Sequence, residues 1–214
     1  MRRLTLGLSV VAALLLAQRA LAHPHVYVTA SSELLYREDG AIVAIRYAWI
    51  FDDMFSTYAL QGIAQKTRGT YTREELAHLA QLNVEALKEY GYFTFAKAGD
   101  VEPSNSEKFA DPVDYFFEYD DGSLVLHLTL PFATAFKAKY LSVEIYDPTY
   151  FVDFGLDNND PIKLVSAPAG CMMTYQRPAD GSATALALGE AAFTSGANAG
   201  YGKMFANKIR LTCP

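Results

Sequence analysis

Apolar and polar positions alternate over two stretches near the start of the chain. His25 to Tyr36 is rich in Val, Thr and Tyr and reads as a strand. Ala41 to Phe51 reads as a second, with Val43, Ile45, Tyr47, Trp49 and Phe51 on one face and Arg46 on the other. Glu38-Asp39-Gly40 is a turn signal between them, so the two predict an antiparallel hairpin. The period then lengthens. Asp53 to Ile63 reads as a helix, and Thr72 to Tyr90 as a longer one, with Leu76, Leu79, Ala80, Leu87 and Tyr90 on one face. Thr72 with Glu75 makes a capping box, and Gly91 stands where a helix C-terminal cap belongs.

Short strand-like runs return after Gly91: Tyr92–Ala96, Val113–Tyr119, Leu124–Leu130, Leu141–Tyr146, Tyr150–Phe154, Ile162–Val165 and Met172–Gln176. Asp120-Asp121-Gly122 marks another hairpin, and Ala183 to Gly202 is rich in Ala, Gly and Ser with little pattern. Hairpin, helix pair, then many strands predicts an α+β fold with mostly antiparallel sheet. The helix pair has the outline of an EF-hand: Gly69 at loop position six puts Glu75 at twelve. Positions one, three and five are then Ala64, Lys66 and Arg68, which replace the carboxylates calcium requires, so no calcium binding is expected.

The first residues change the expected compartment. Met1-Arg2-Arg3 is a cationic head, and Leu4 to Ala17 is an uncharged run of about fourteen residues, shorter than the roughly 20 a membrane span needs. Ala20-Leu21-Ala22 supplies a small-x-small cleavage pattern, so residues 1–22 read as a signal peptide. An uncleaved anchor is the alternative. The expectation is an exported, periplasmic single domain over 23–214 that begins at His23 and holds 192 residues. Without Arg2, Arg3 and Arg19 it carries 15 basic and 24 acidic side chains, a net of −9. That balance, with no basic cluster, argues against a nucleic-acid partner.

Export bears on Cys171 and Cys213, the chain's two cysteines. An oxidising compartment favours a disulfide, which would contribute roughly 4 kcal/mol in the chain-entropy model. A thiolate metal site is the alternative.

Candidate chemistry starts at the expected new N-terminus, His23-Pro24-His25. A free α-amine and imidazoles both reach the unprotonated, ligating form near neutral pH. In extended chain His23 and His25 face the same way. Pro24 has no N–H, which blocks the square-planar amino-terminal copper and nickel motif, so further ligands must come from elsewhere in the fold. A turn centred near Asp39 places residue 25 across from residue 53, within about two residues, which brings Asp52-Asp53 beside the histidines. Two imidazoles and a carboxylate suit Zn²⁺, Ni²⁺, Co²⁺ or Cu²⁺. Asp52 and Asp53 also suit the start of a helix, where acidic side chains are favoured. His78 falls opposite its helix's apolar face and His127 on the polar face of its strand, so both read as surface. Met172, Met173 and the aromatic runs read as core. Asp147, in Tyr146-Asp147-Pro148, reads as an Asp-Pro turn. No Ser/His/Asp or Cys/His nucleophilic set is apparent, so an enzyme is not expected. Copper redox chemistry at the N-terminal histidine is a distant alternative.

Taken in order, His23-Pro24-His25-Val26, Trp49-Ile50-Phe51-Asp52-Asp53-Met54-Phe55-Ser56, Glu89-Tyr90-Gly91-Tyr92-Phe93 and Tyr146-Asp147-Pro148-Thr149-Tyr150 resemble the domain-of-unknown-function 1007 family of bacterial periplasmic proteins. The resemblance runs from residue 23 to about 155 and is weaker in the last third. It implies a component linked to ABC-type and nickel/cobalt-type membrane transporters, with His23, His25, Asp52 and Asp147 as the polar motif residues. Asp53 stands where a Glu is common. The expected function is a periplasmic transition-metal-binding accessory protein that serves an inner-membrane metal transporter. A non-metal binding or scaffolding module is the runner-up.

Overall fold

A computed structural model describes residues 24–159, 161–178 and 200–214. The expected signal peptide, His23 and most of the Ala/Gly/Ser-rich tail lie outside the described residues. The expected hairpin is present as β1 (Val26–Tyr36) and β2 (Ile42–Phe51). From Ile45 onward its inward face is the one the alternation marks, with Ile45, Tyr47, Trp49 and Phe51 all buried; Val43 is only half-buried, because a register irregularity at Ile42/Ala44 breaks the alternation there.

Two helices follow, α1 (Asp53–Ala59) and α2 (Arg73–Leu87), the second ending in a 3-10 turn over Lys88–Phe93. The capping box of Thr72 and Glu75 forms as expected. α1 stops short of Ile63 because the chain turns through Gly62 at φ 80°, a left-handed angle that ends a helix. α2 buries Leu76, Ala80 and Val84, while Tyr90 is exposed, since its last turn winds into the 3-10 segment. α1 rests on the strand Ser123–Phe136 and α2 on the strand Val113–Asp120, so the sheet sets the position of each helix.

The remaining strands are β3 (Thr94–Gly99), β4 (Asn105–Glu107), β5 (Val113–Asp120), β6 (Ser123–Phe136), β7 (Tyr140–Ile145), β8 (Val152–Leu156), β9 (Ile162–Val165), β10 (Met172–Gln176) and β11 (Asn207–Thr212). β3 begins at Thr94 rather than Tyr92, because Tyr92 and Phe93 both take left-handed backbone angles. The expectations did not include β11, although Ile209 and Leu211 alternate with Lys208 and Arg210 and both are buried.

The strands form two sheets, ordered β5-β6-β2-β1-β8, with β9 also along β1, and β10-β11-β7-β3-β4. Pairing is antiparallel except that β8 and β9 run parallel to β1. The fold is therefore α+β with mostly antiparallel sheet. The sheets pack face to face. Leu34 and Ile45 of the first meet Leu141, Val143, Ile209 and Leu211 of the second. Each such side chain, fully buried, contributes roughly 1.5–3 kcal/mol. Trp49 sits between Tyr47, Phe93 and Phe154 at ring separations of 5.3, 6.5 and 5.1 Å. Cys171 and Cys213 are joined in a disulfide. Their placement follows from the antiparallel pairing of Met172 with Thr212, which brings the residue before β10 opposite the residue after β11.

Candidate functional site

The motif segments converge at one end of the larger sheet. β1 lies between β2 and β8, so its first residues sit between the Asp52 end of β2 and the turn that precedes β8. Asp52 closes one side. Its carbonyl accepts from Ser56 N at 2.9 Å in the first turn of α1, so it is not available to the strand ladder. The carboxylate takes over: Oδ2 accepts from Tyr27 N of β1 at 2.7 Å. Oδ1 accepts from Phe55 N at 2.8 Å and caps α1. One side chain thus ends a strand, starts a helix and fastens β1.

Asp147 closes the other side. Its side chain is 2% exposed, and Oδ1 accepts from Thr149 N and Thr149 Oγ1, both at 2.8 Å. Oδ2 accepts from Val152 N at 3.0 Å. These bonds draw residues 147–152 into a tight turn that also bonds Tyr150 N to Asp147 O at 3.0 Å. The turn aims the Phe151 carbonyl at β1, where it accepts from His25 N at 2.9 Å and Val26 N at 3.2 Å. Tyr150 stacks on Phe205 with centroids 3.8 Å apart. The segment carrying Phe205 comes so near that a Cβ on Gly202 would lie 1.9 Å from Asp147 O, so glycine is required there. Tyr146 N donates to Phe93 O at 3.1 Å, which brings the Gly91-Tyr92-Phe93 motif to the same end.

His25 is exposed at the head of β1, its ring 4.9 Å from that of Phe151. The hairpin register is one residue from the expected one: Val28 pairs with Phe51. Asp52 lies across from Tyr27 of β1, and the helix that begins at Asp53 turns the next carboxylate away from that strand. The Asp53 carboxylate is directed to the other flank of β2, where Oδ1 accepts from Ser123 Oγ at 3.5 Å. His23 lies outside the described residues. Among the described residues, no group of three or more His, Cys, Asp or Glu side chains is arranged to hold a metal ion. His25, Asp52 and the Asp147 turn share one end of the sheet, but the two carboxylates face backbone amides.

His78 is exposed. His127 is half-buried and bonded through Nε2 to Glu118 at 2.8 Å. Glu75, at the helix loop, accepts from Lys66 N and Thr72 N, both at 2.7 Å. Those two backbone bonds, the Thr72 one foremost, hold its carboxyl below the usual range. Sequence reasoning did not find Phe151 or Gly202. A Tyr-Phe pair looks like core, and the closeness of Gly202 to Asp147 comes only from folding.

Beneath the site, Thr94 Oγ1 donates to Tyr92 O at 2.9 Å, which leaves it to accept from Tyr47 OH at 3.1 Å. Burial pushes the Tyr47 phenol up, and the bond to Thr94 only partly offsets that. Burial also raises the Tyr92 phenol to about 12, with its bond to Asp111 adding to the effect.

The model of one protein family, Protein of unknown function (DUF1007), matches residues 8–213. No curated protein matches the chain.

Proposed function

We propose that this chain, which belongs to the DUF1007 family, is an exported accessory protein that binds a divalent transition metal as cargo for a membrane metal transporter. No helix among the described residues is long and apolar enough to cross a membrane. In this reading the protein works in the periplasm after removal of residues 1–22. The metal, from the Ni, Co, Zn and Cu group, is held by imidazole nitrogen from His23 and His25.

One observation carries the reading. Asp52 and the Asp147 turn fasten the head of β1 from both sides, so His25 is exposed on backbone whose course is fixed. A fixed strand end limits the entropy lost when a ligand set closes around an ion. Asp52 and Asp147 then act as positioning residues, and Asp53 joins the ligand set only by leaving Ser123.

The runner-up, a binding or scaffolding module without metal, draws on the same geometry. Asp52 and Asp147 already have structural partners, so the motif needs no ion to account for them. Calorimetry with Ni²⁺, Co²⁺, Zn²⁺ and Cu²⁺ on protein that begins at His23 separates the two. The metal reading expects binding that His25→Ala weakens by roughly tenfold or more, about 1.4 kcal/mol. One extra residue before His23 should weaken it too if the α-amine is a ligand. Affinity unchanged by His25→Ala would remove the site and leave the scaffolding module.

A further inference from the structure

The outward face of the larger sheet carries a cleft away from the His25 end, and register explains it. Lys163, Glu33 and Arg46 lie side by side on β9, β1 and β2. One step along the strands, Ser31, Ala48 and His127 lie side by side on β1, β2 and β6. Alternate residues share a face, so both rows point away from the core. The second row is short at Ser31 and Ala48, and the first is long. The difference leaves a hollow of about 300 Å³, at the small end of the range for ligand sites.

Its walls have directional chemistry. Arg46 Nη1 bonds Glu33 Oε2 at 2.6 Å, an attachment that uses one of five guanidinium N–H groups and leaves the fork oriented. Lys163 lies beside Glu33 on the next strand, so a second cationic side chain borders the hollow. At the other side of the floor the His127 ring is fixed. It bonds Glu118 through Nε2 and stacks on Phe116 with centroids 4.6 Å apart. The Arg73 guanidinium in turn lies 3.5 Å from the Phe116 ring centre. Ser31 adds a hydroxyl between the two walls.

The geometry points to a binding site for a small hydroxyl-bearing carboxylic acid. Its carboxylate meets Arg46 and Lys163, and its hydroxyls lie over Ser31 and His127. Guanidinium and carboxylate match in shape as well as charge. The floor is open and sets the Ser31 hydroxyl beside Ala48, so a hydroxylated ligand finds a hydrogen-bond partner there. This site is independent of the N-terminal histidines and is tested on protein stripped of metal.

The experiment is calorimetry with malate, citrate, gluconate and glucuronate, with sorbitol and acetate as partial ligands. At least one of the four acids should bind at a single site. Sorbitol should not bind, and acetate should bind more weakly than the hydroxy acid. Arg46→Gln and Lys163→Gln should each weaken binding about tenfold, as expected for loss of a charge-assisted hydrogen bond. Ala48→Leu fills the floor and keeps every charge, so it should abolish binding with the circular dichroism spectrum unchanged. Three results overturn the proposal: no binding of the four acids at about 10 mM, far weaker than the micromolar–millimolar range of useful sites; sorbitol binding as well as gluconate; or binding that Ala48→Leu leaves intact.

Discussion

The two ends of β1 are closed by different chemistry. At the Tyr36 end the fastenings are a local ion pair in the hairpin turn and, in the second sheet beneath it, a disulfide. The hairpin turn is pinned by Arg37, whose guanidinium bonds Asp39 at 2.6 and 3.0 Å and holds its carboxyl down at about 2. The Cys171–Cys213 bridge ties the second sheet's last two strands together beneath Tyr36, whose hydroxyl lies 3.9 Å from Cys213 Sγ. At the His25 end no covalent link acts among the described residues. The Asp52 carboxylate and the Phe151 carbonyl accept β1 backbone N–H groups, and the Asp147 carboxylate holds the turn that places that carbonyl. A cross-link acts largely by constraining the unfolded chain, so its effect persists when the fold around it loosens. The carboxylate fastening exists only when the native geometry does. The end that presents His25 is therefore the one whose order depends on the intact fold.

The largest expected effect tests whether the ends are independent. Replacing both cysteines by alanine should lower the unfolding free energy by about 4 kcal/mol in the chain-entropy model, read from urea titration. Hydrogen exchange at His25, Val26 and Tyr27 should keep its native pattern relative to the global rate. Selective loss of protection there would show that the bridge also supports the far end, and the comparison would fail.

Asp147→Ala probes the other fastening. It leaves Thr149 N and Val152 N without their acceptor, and a hydrogen bond to a charged group is worth roughly 1.5–3 kcal/mol. A loss of about 3 kcal/mol is expected. Faster exchange should be centred on His25 and Val26, which bond the carbonyl this turn positions. Asp147→Asn keeps one carbonyl oxygen and should recover part of the loss. An Ala variant as stable as the parent would mean that the Asp147 bonds contribute nothing to this end.

The smallest effect is the part of the alkaline pH dependence that arises at the disulfide end. Burial raises the Tyr36 phenol from 10.0 to about 12. Above pH 10 the unfolded chain releases this proton while the folded protein keeps it, so the contribution is whole below pH 10 and falls as pH rises towards about 12. Tyr36→Phe removes that proton. Unfolding free energies measured from pH 9 upward should therefore fall less steeply in the variant than in the parent. Parallel curves would place the alkaline sensitivity on other tyrosines, such as Tyr92 and Tyr47.

Local patterns carried much of this protein. The alternation of Ile45, Tyr47, Trp49 and Phe51 marked their buried face before any partner was known, because side chains on a strand alternate whatever sheet it joins. The turn at Glu38-Asp39-Gly40 set the hairpin register to within one residue, since a short loop leaves few ways to pair its ends. Thr72 and Glu75 marked the start of α2 because a cap involves neighbours only. The tertiary structure decided the rest. That β8 runs parallel beside β1, and so carries the Asp147 turn to His25, depends on a contact between residues more than 120 apart, which no local period encodes. That Asp52 rather than Asp53 serves β1 follows from a helix that claims the Asp52 carbonyl and leaves its carboxylate to complete the ladder. The sequence by itself determined most of the strands, both helices and the hairpin turns, though not β4 or β11, because those choices rest on steric and hydrogen-bonding preferences within a few residues. Only the folded sheet order decided which carboxylate faces which amide, because that depends on where distant strands come to lie.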